Sequence, residues 1–314
     1  MKNLLNILFI GTSEFAVKPL ELLCKQNYNI AAVLTRRDKT GGRGKKLIKS
    51  PVKEFAEKNR LNIIQPENIN SSEVSDFIKN KDIHLGIVIS YGGIIKKDIF
   101  SAPKYGTINV HPSLLPKYRG PSPIQSSLLH GDEKTGVSVI EITDKMDAGP
   151  ILLQEEEIIS INDNYFSLHD KLSEKGGELL LKYLINMEKT EKKYQNDNEA
   201  TYCNLIKKEH GLINWEKDSF EIHNQIRAFV KWPVAFTLFK GKILKIYTSK
   251  YSEDSEFPEF SPGSILKLSK KKFGVVCGDG KLLEILKLQL QGKKMLDAHE
   301  FLNGMNIETG EMLG

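Results

Sequence analysis

Apolar residues fall in short continuous blocks, separated by segments of helical period. Leu4 to Ile10, interrupted only by Asn6, Ile30 to Thr35, Ile83 to Ser90 and Gly106 to Val110 predict strands buried on both faces of a parallel sheet. Leu61 to Ile64 is a shorter one. Between them Glu14 to Lys25, a segment opening at Ser50-Pro51, and Ser72 to Lys79 predict helices, with Ser13 as a cap and Pro51 at a first helical position. Pro19 sits awkwardly inside the first of these. A helix over Pro123 to His130, strands over Val137 to Ile142 and Ile151 to Ile158, and a long helix over Leu168 to Met187 complete the pattern. This order predicts a doubly wound, mostly parallel, Rossmann-like α/β sheet.

The pattern changes near residue 188. Glu188 to Ala200 is polar and aperiodic, as an exposed linker is. Beyond it, Asp218 and Glu221 form a capping-box pattern for a helix to Phe229. Five short strand-like runs follow: Ala235–Phe239, Ile243–Tyr247, Gly263–Leu268, Phe273–Cys277 and Leu282–Leu288, then a helix near Leu296–Leu302. They predict a small OB-like β-barrel. The expected division is a catalytic domain over 1–189, a linker over 190–206 and an OB-like domain over 207–314.

Composition narrows the class. No apolar run reaches the roughly 20 residues of a membrane span, and the N-terminus lacks a cleavage signal. Three cysteines without C-x-x-C spacing exclude a disulfide framework or zinc site and fit a cytoplasmic protein. His84, His130, His169, His210, His223 and His299 show no metal-ligand spacing either, so no metal is expected. Only Gly11 stands in the first turn, which leaves a nicotinamide-dinucleotide reading without its phosphate-binding signature. The net charge is +5, yet Arg36 to Lys49 alone carries +6 over fourteen residues. Such a concentration suggests a polyanionic partner, and Gly41, Gly42 and Gly44 predict a mobile loop.

Candidate chemistry gathers between Gly106 and Pro150. Asn109 and His111 are two apart at a strand end, so their side chains share a face. Asp147 follows a later strand and can reach the same rim. Acyl transfer to an amine needs an oxyanion stabiliser, a proton carrier and a group that orients the carrier. Asn, His and Asp supply these, and a carboxylate beside His111 favours its protonated form. Singly, each residue is equally at home in ordinary turn chemistry.

The stretches NVHPSLLPKYRGPSPIQ and TGVSVIEITDKMDAGPIL closely resemble the formyltransferases that use 10-formyltetrahydrofolate. The motifs are Asn109/His111, Ser113-Leu114-Leu115-Pro116 and Asp147-Ala148-Gly149. The resemblance implies that Asn109 stabilises the oxyanion, His111 shuttles the proton and Asp147 orients His111. It implies folate contacts from Ser113, Leu114, Leu115 and Pro116, and a second wall from Ile89 to Ile94 with Tyr91, Gly92 and Gly93. The cosubstrate implied is (6S)-10-formyltetrahydrofolate.

FIGTSEFA and the loop GGRGKKLIKSPVK resemble those family members that formylate methionine esterified to initiator tRNA. By that match Arg43 reads the tRNA, Lys45 and Lys46 hold phosphates, and Arg36 belongs to the same surface. A monomer is expected. The competing acceptors are an amino-sugar nucleotide, glycinamide ribonucleotide, and water in a folate hydrolase; a non-catalytic RNA-binding protein would not need the Asn–His–Asp set. Lys117 and Arg119 fit either folate or tRNA, and Trp215 and Trp232 are expected to pack the second domain.

Overall fold

The computed structural model describes residues 5–41, 46–253, 257 and 259–314. In chain order the elements are β1 (Ile7–Gly11), α1 (Val17–Lys25), β2 (Ile30–Leu34), β3 (Lys39–Gly41), β4 (Lys46–Ile48), α2 (Pro51–Lys58), β5 (Ile63–Ile64), α3 (Ser72–Asn80), β6 (Leu85–Ile89), α4 (Lys97–Phe100), β7 (Thr107–His111), α5 (Pro123–Leu129), β8 (Lys134–Glu141), β9 (Ile151–Ile158) and α6 (Tyr165–Asn186). They are followed by α7 (Ser219–Phe229), β10 (Ala235–Phe239), β11 (Lys242–Lys250), β12 (Ile265–Lys267), β13 (Phe273–Val276), β14 (Leu282–Leu290), β15 (Leu296–Asp297) and α8 (Ala298–Gly304). Two compact units result. One holds the chain up to Pro123, Lys134–Ile158 and His169–Cys203; the other holds Ile124–Glu133, Ile159–Leu168 and Asn204–Gly314.

The first unit is built on a seven-stranded sheet of order β5-β2-β1-β6-β7-β8-β9. The strands from β5 to β7 are parallel, and β8 and β9 add an antiparallel edge. Leu8 and Ile10 pack with α3 residues Val74 and Ile78 on one face. Ile7 and Phe9 are equally buried on the other, so the apolar run at β1 is covered on both sides. The chain runs outward from β1 to β5, then returns to β6 on the other side of β1. That reversal opens a crevice at the carboxyl ends of β1 and β6. A Cβ on Gly11 would lie 2.9 Å from the Ile89 carbonyl, so glycine there allows the two strand ends to close up.

Local readings of the first helix change in detail. A 3-10 turn over Glu14–Ala16 precedes α1, which starts only at Val17. Pro19 therefore falls in the first turn, where its missing N–H has no helical partner to lose. Ser13 makes no side-chain cap; its hydroxyl donates to Ser90 Oγ at 2.7 Å. Ser50 does cap α2, accepting from Lys53 N at 3.1 Å, with Pro51 at the first helical position.

The second unit is an antiparallel sheet of order β10-β11-β14-β13-β12, with β15 beside β14. Its core joins Ile222 and Ile226 of α7 to Ile246, Phe273, Leu283 and Phe301. Trp215 is buried there and donates from Nε1 to Thr237 Oγ1 at 3.1 Å. Trp232, expected in the same core, is 53% exposed. Asp218 stands at the start of α7 without a side-chain cap, and Glu221 pairs instead with Lys217 at 3.2 Å. His223 and Arg227 explain why residues 159–168 cluster with this unit. Arg227, buried, donates to the carbonyls of Ser160 and Asp163, and His223 contacts Ile161 O at 3.2 Å. Burial pushes the His223 imidazole below its ordinary pKa. Among the described residues no helix is long and apolar enough to cross a membrane.

Candidate active site

β7 pairs with β6 and β8, and its last residue is His111. Alternation puts Asn109 and His111 on one face. The loop after β8 brings Asp147 to the same point. Asn109 Nδ2 lies 3.4 Å from Asp147 Oδ1, and His111 Nδ1 lies 3.7 Å from that oxygen. The three side chains thus converge at the carboxyl end of a central strand.

His111 is buried, and its Nε2 lies 2.9 Å from the Tyr118 carbonyl. A carbonyl only accepts, so Nε2 carries the hydrogen and donates. The neutral ring then presents Nδ1 as a base toward Asp147. At 3.7 Å these two acceptors do not bond; a proton taken up at Nδ1 would face the carboxylate directly. Asn109 has two amide hydrogens, and its long contact to Asp147 occupies at most one.

The loop between β7 and α5 is held from behind. Ser138 of β8 donates to Ser113 O at 2.6 Å and accepts from Leu115 N at 3.2 Å. Gln154 of β9 donates to Leu115 O at 2.9 Å and to Ser138 Oγ at 2.8 Å. Ser113 and Leu115 are buried, whereas Leu114 and Pro116 keep partly exposed surface. The main-chain oxygens of Ser113 and Leu115 are therefore committed to the fold. Within residues 113–116, Leu114 and Pro116 are the ones that leave side-chain surface open.

The segment expected as a second wall follows the carboxyl end of β6, beside that of β1. Ile89 is buried inside the sheet, and the chain then turns through Ser90 and Gly92, both with positive φ. Thr12 Oγ1 donates to Tyr91 O at 3.3 Å. Arg36, grouped by sequence with the polyanion-binding residues, has other partners. Its guanidinium donates to Gly92 O and lies 5.6 Å from the Tyr91 ring centroid. Arg36 therefore holds the Tyr91–Gly92 turn. The basic loop beyond it is a hairpin of β3 and β4. Its root is tied by Lys53, which bonds Asp38 at 2.6 Å and Gln65 at 2.8 Å. Lys53 and Gln65 hold the Asp38 carboxyl below the usual carboxylate range. Gly42, Arg43, Gly44 and Lys45 lie outside the described residues, as does the side chain of Lys46.

The segment expected to be an exposed linker is exposed over most of residues 188–200, and parts of it bond the segments around the site. Lys193 exchanges backbone hydrogen bonds with Ile151 at 2.8 and 2.9 Å. Thr201 Oγ1 accepts from Tyr118 N at 2.8 Å, and Thr201 O accepts from Arg119 N at 2.9 Å. Arg119, which the sequence left open for folate or tRNA, is only 2% exposed. Its guanidinium donates to Gln195 Oε1 at 3.0 Å and Tyr202 OH at 3.3 Å and forms an ion pair with Asp197 Oδ1 at 2.8 Å. Gln195 was missed because a polar, aperiodic run carries no burial signal. Its one mark is that Gln195 is half-buried between exposed neighbours, which only the fold reveals. Among the described residues no group of His, Cys, Asp and Glu could hold a metal.

The Asp147 turn leaves no room for a side chain at Gly149. A Cβ there would lie 1.8 Å from Glu141 O, a backbone atom. Gly149→Ala must therefore displace the turn and the Asp147 carboxylate with it. A shift of this kind is expected to cost about 10²-fold in turnover. Steady-state kinetics beside a circular dichroism melt would separate this from unfolding; unchanged kcat would detach the turn from the chemistry.

An Asn–His–Asp set at the carboxyl rim of a Rossmann-like sheet brings together a hydrogen-bond donor, a base and a carboxylate, the groups that acyl transfer uses. The chain matches the formyl transferase family over residues 5–184 and the formyl transferase C-terminal domain over 205–306. Its curated relatives are full-length. The methionyl-tRNA formyltransferase of Sulfurihydrogenibium sp. (strain YO3AOP1) is 41% identical over 311 residues, 98% of this chain and 99% of the relative. That of Acetivibrio thermocellus is 38% identical over 312 residues, 99% and 100% of the two chains. The chain belongs to the methionyl-tRNA formyltransferase family. The N-formyltransferase of Helicobacter canadensis, solved with folinic acid and dTDP-3-aminofucose, shares the fold, with a TM-score of 0.67 at 24% identity over 90% of this chain and 99% of that one.

Proposed function

We propose that this enzyme transfers the formyl group of (6S)-10-formyltetrahydrofolate to the α-amine of methionine esterified to initiator tRNA. The observation that carries this reading is the 38% and 41% identity to methionyl-tRNA formyltransferases along essentially the whole chain. The chemistry fits the rim of β7. The amine nitrogen attacks the formyl carbon, and the carbonyl oxygen gains negative charge beside the Asn109 amide. His111 Nδ1 takes the proton from the amine, and Asp147 stabilises the resulting imidazolium. His111 returns the proton to N10 of the folate as the N10–carbon bond breaks. Leu114, Pro116 and the Tyr91–Gly93 turn suit a pocket wall for the folate. Arg43, Lys45 and Lys46 suit the phosphates of an acceptor stem, and residues 207–314 a second tRNA contact. A cytoplasmic monomer is consistent with this role.

An amino-sugar nucleotide is the alternative acceptor. Both acceptors, offered side by side with 10-formyltetrahydrofolate, decide between them. Formylation of charged initiator tRNA is expected, and it should fall steeply between low and high salt as phosphate contacts release counterions. Transfer to the amino sugar with flat salt dependence would replace the tRNA reading.

A further inference from the structure

We propose that residues 193–203 form a strap that sets the catalytic position of Asp147, with Gln195 as its positioning residue. The proposal rests on the formyl-transfer reading of the site. Gln195 Nε2 donates to two carbonyls of the Asp147 turn, Asp147 O at 2.8 Å and Gly149 O at 2.7 Å. Both amide hydrogens are thus spent on one turn. The amide can point only this way, because its oxygen accepts from Arg119 Nε, a group that only donates.

Arg119 closes a ring of contacts. The carbonyl before it, of Tyr118, receives His111 Nε2. The amide after it, of Gly120, donates to Asp147 Oδ2 at 2.9 Å. Its side chain holds Gln195, which holds the Asp147 turn. The base and its carboxylate are therefore positioned through three separate connections, by the Tyr118 carbonyl, the Gly120 amide and the Arg119 side chain between them. Tyr118 and Asp147 both have positive φ, of 58° and 50°. Non-glycine residues persist there only when their surroundings over-determine them, and the strap supplies that constraint. Asp197 anchors the far side: the Arg119 guanidinium beside it holds its carboxyl below the usual range.

Gln195→Leu keeps the volume and removes all three hydrogen bonds. It is expected to lower kcat about 10–100-fold, with KM for folate and for charged tRNA within about twofold. Because Gln195 acts through Asp147, the same change made in an Asp147→Asn background should cost less than about twofold more. Hydrogen exchange gives a readout that needs no substrate: the Gly120 amide should exchange faster in Gln195→Leu. Wild-type kcat, or a loss that multiplies fully in the double variant, would overturn the strap. If the wild-type enzyme formylated no charged tRNA, the functional reading would fail by itself. Gly120 exchange would then decide the strap alone, and an unchanged rate would overturn it.

Discussion

His111→Ala is expected to lower kcat by about 10²–10⁴ and to leave folate binding nearly intact. The Nε2–H bond to Tyr118 O fixes both the ring's orientation and its tautomer, so in the proposed transfer Nδ1 is the nitrogen that takes the proton of the attacking amine. Asp147 Oδ1, 3.7 Å away, is placed to favour the charge once it forms. Alanine removes the carrier and leaves no other imidazole in the set. It also removes one hydrogen bond from the Tyr118 carbonyl, which Cys203 Sγ still reaches at 3.5 Å, so a thermal melt belongs beside the kinetics. Single-turnover formyl transfer compared with folate affinity by calorimetry is the measurement. Turnover within a few-fold of wild type would end the proton-shuttle role.

The second large effect is expected at Asn109. Removing one preorganised donor from a developing oxyanion costs about 10²–10³ in kcat. Asn109→Ala should fall in that range, with KM for the folate changed little. Asn109→Asp separates donation from size, since it keeps the shape and places an acceptor where a donor is needed. It also sets a second carboxylate close to Asp147, where Asn109 now makes its 3.4 Å contact. The aspartate variant should therefore be no more active than the alanine one. A variant that recovered turnover would move the oxyanion contact to another group.

Much of the fold was legible because burial on both faces leaves a continuous apolar run. β1, β2, β6 and β7 were readable within a few residues for that reason. The last two strands of the first sheet, β8 and β9, were read as strands, but their antiparallel pairing was not, since direction has no signature in a single run. The catalytic candidates were legible in part. Asn109 and His111 are neighbours on one strand, so local alternation sufficed. Asp147 is 38 residues from Asn109, and its motif suggested a role that only the fold could bring into contact.

Ser13, Arg36 and Gln195 have partners far along the chain, which local chemistry does not show. Ser13 bonds Ser90, and Arg36 bonds Gly92. The polar run after residue 188 is mostly exposed, and hydrophilicity alone does not show that Gln195 within it clamps a turn.

By itself the sequence determined the Rossmann-like α/β class, the small β domain that follows and the Asn–His pair, because each depends on periodicity or spacing along one segment. Only the tertiary structure decided which nitrogen of His111 is available, what holds Asp147, and that Arg119 and Gln195 join the two. Those are matters of which donor meets which acceptor across the fold. Hydrogen-bond geometry of that kind is set by where strands and turns come to rest, and is not written in the order of residues.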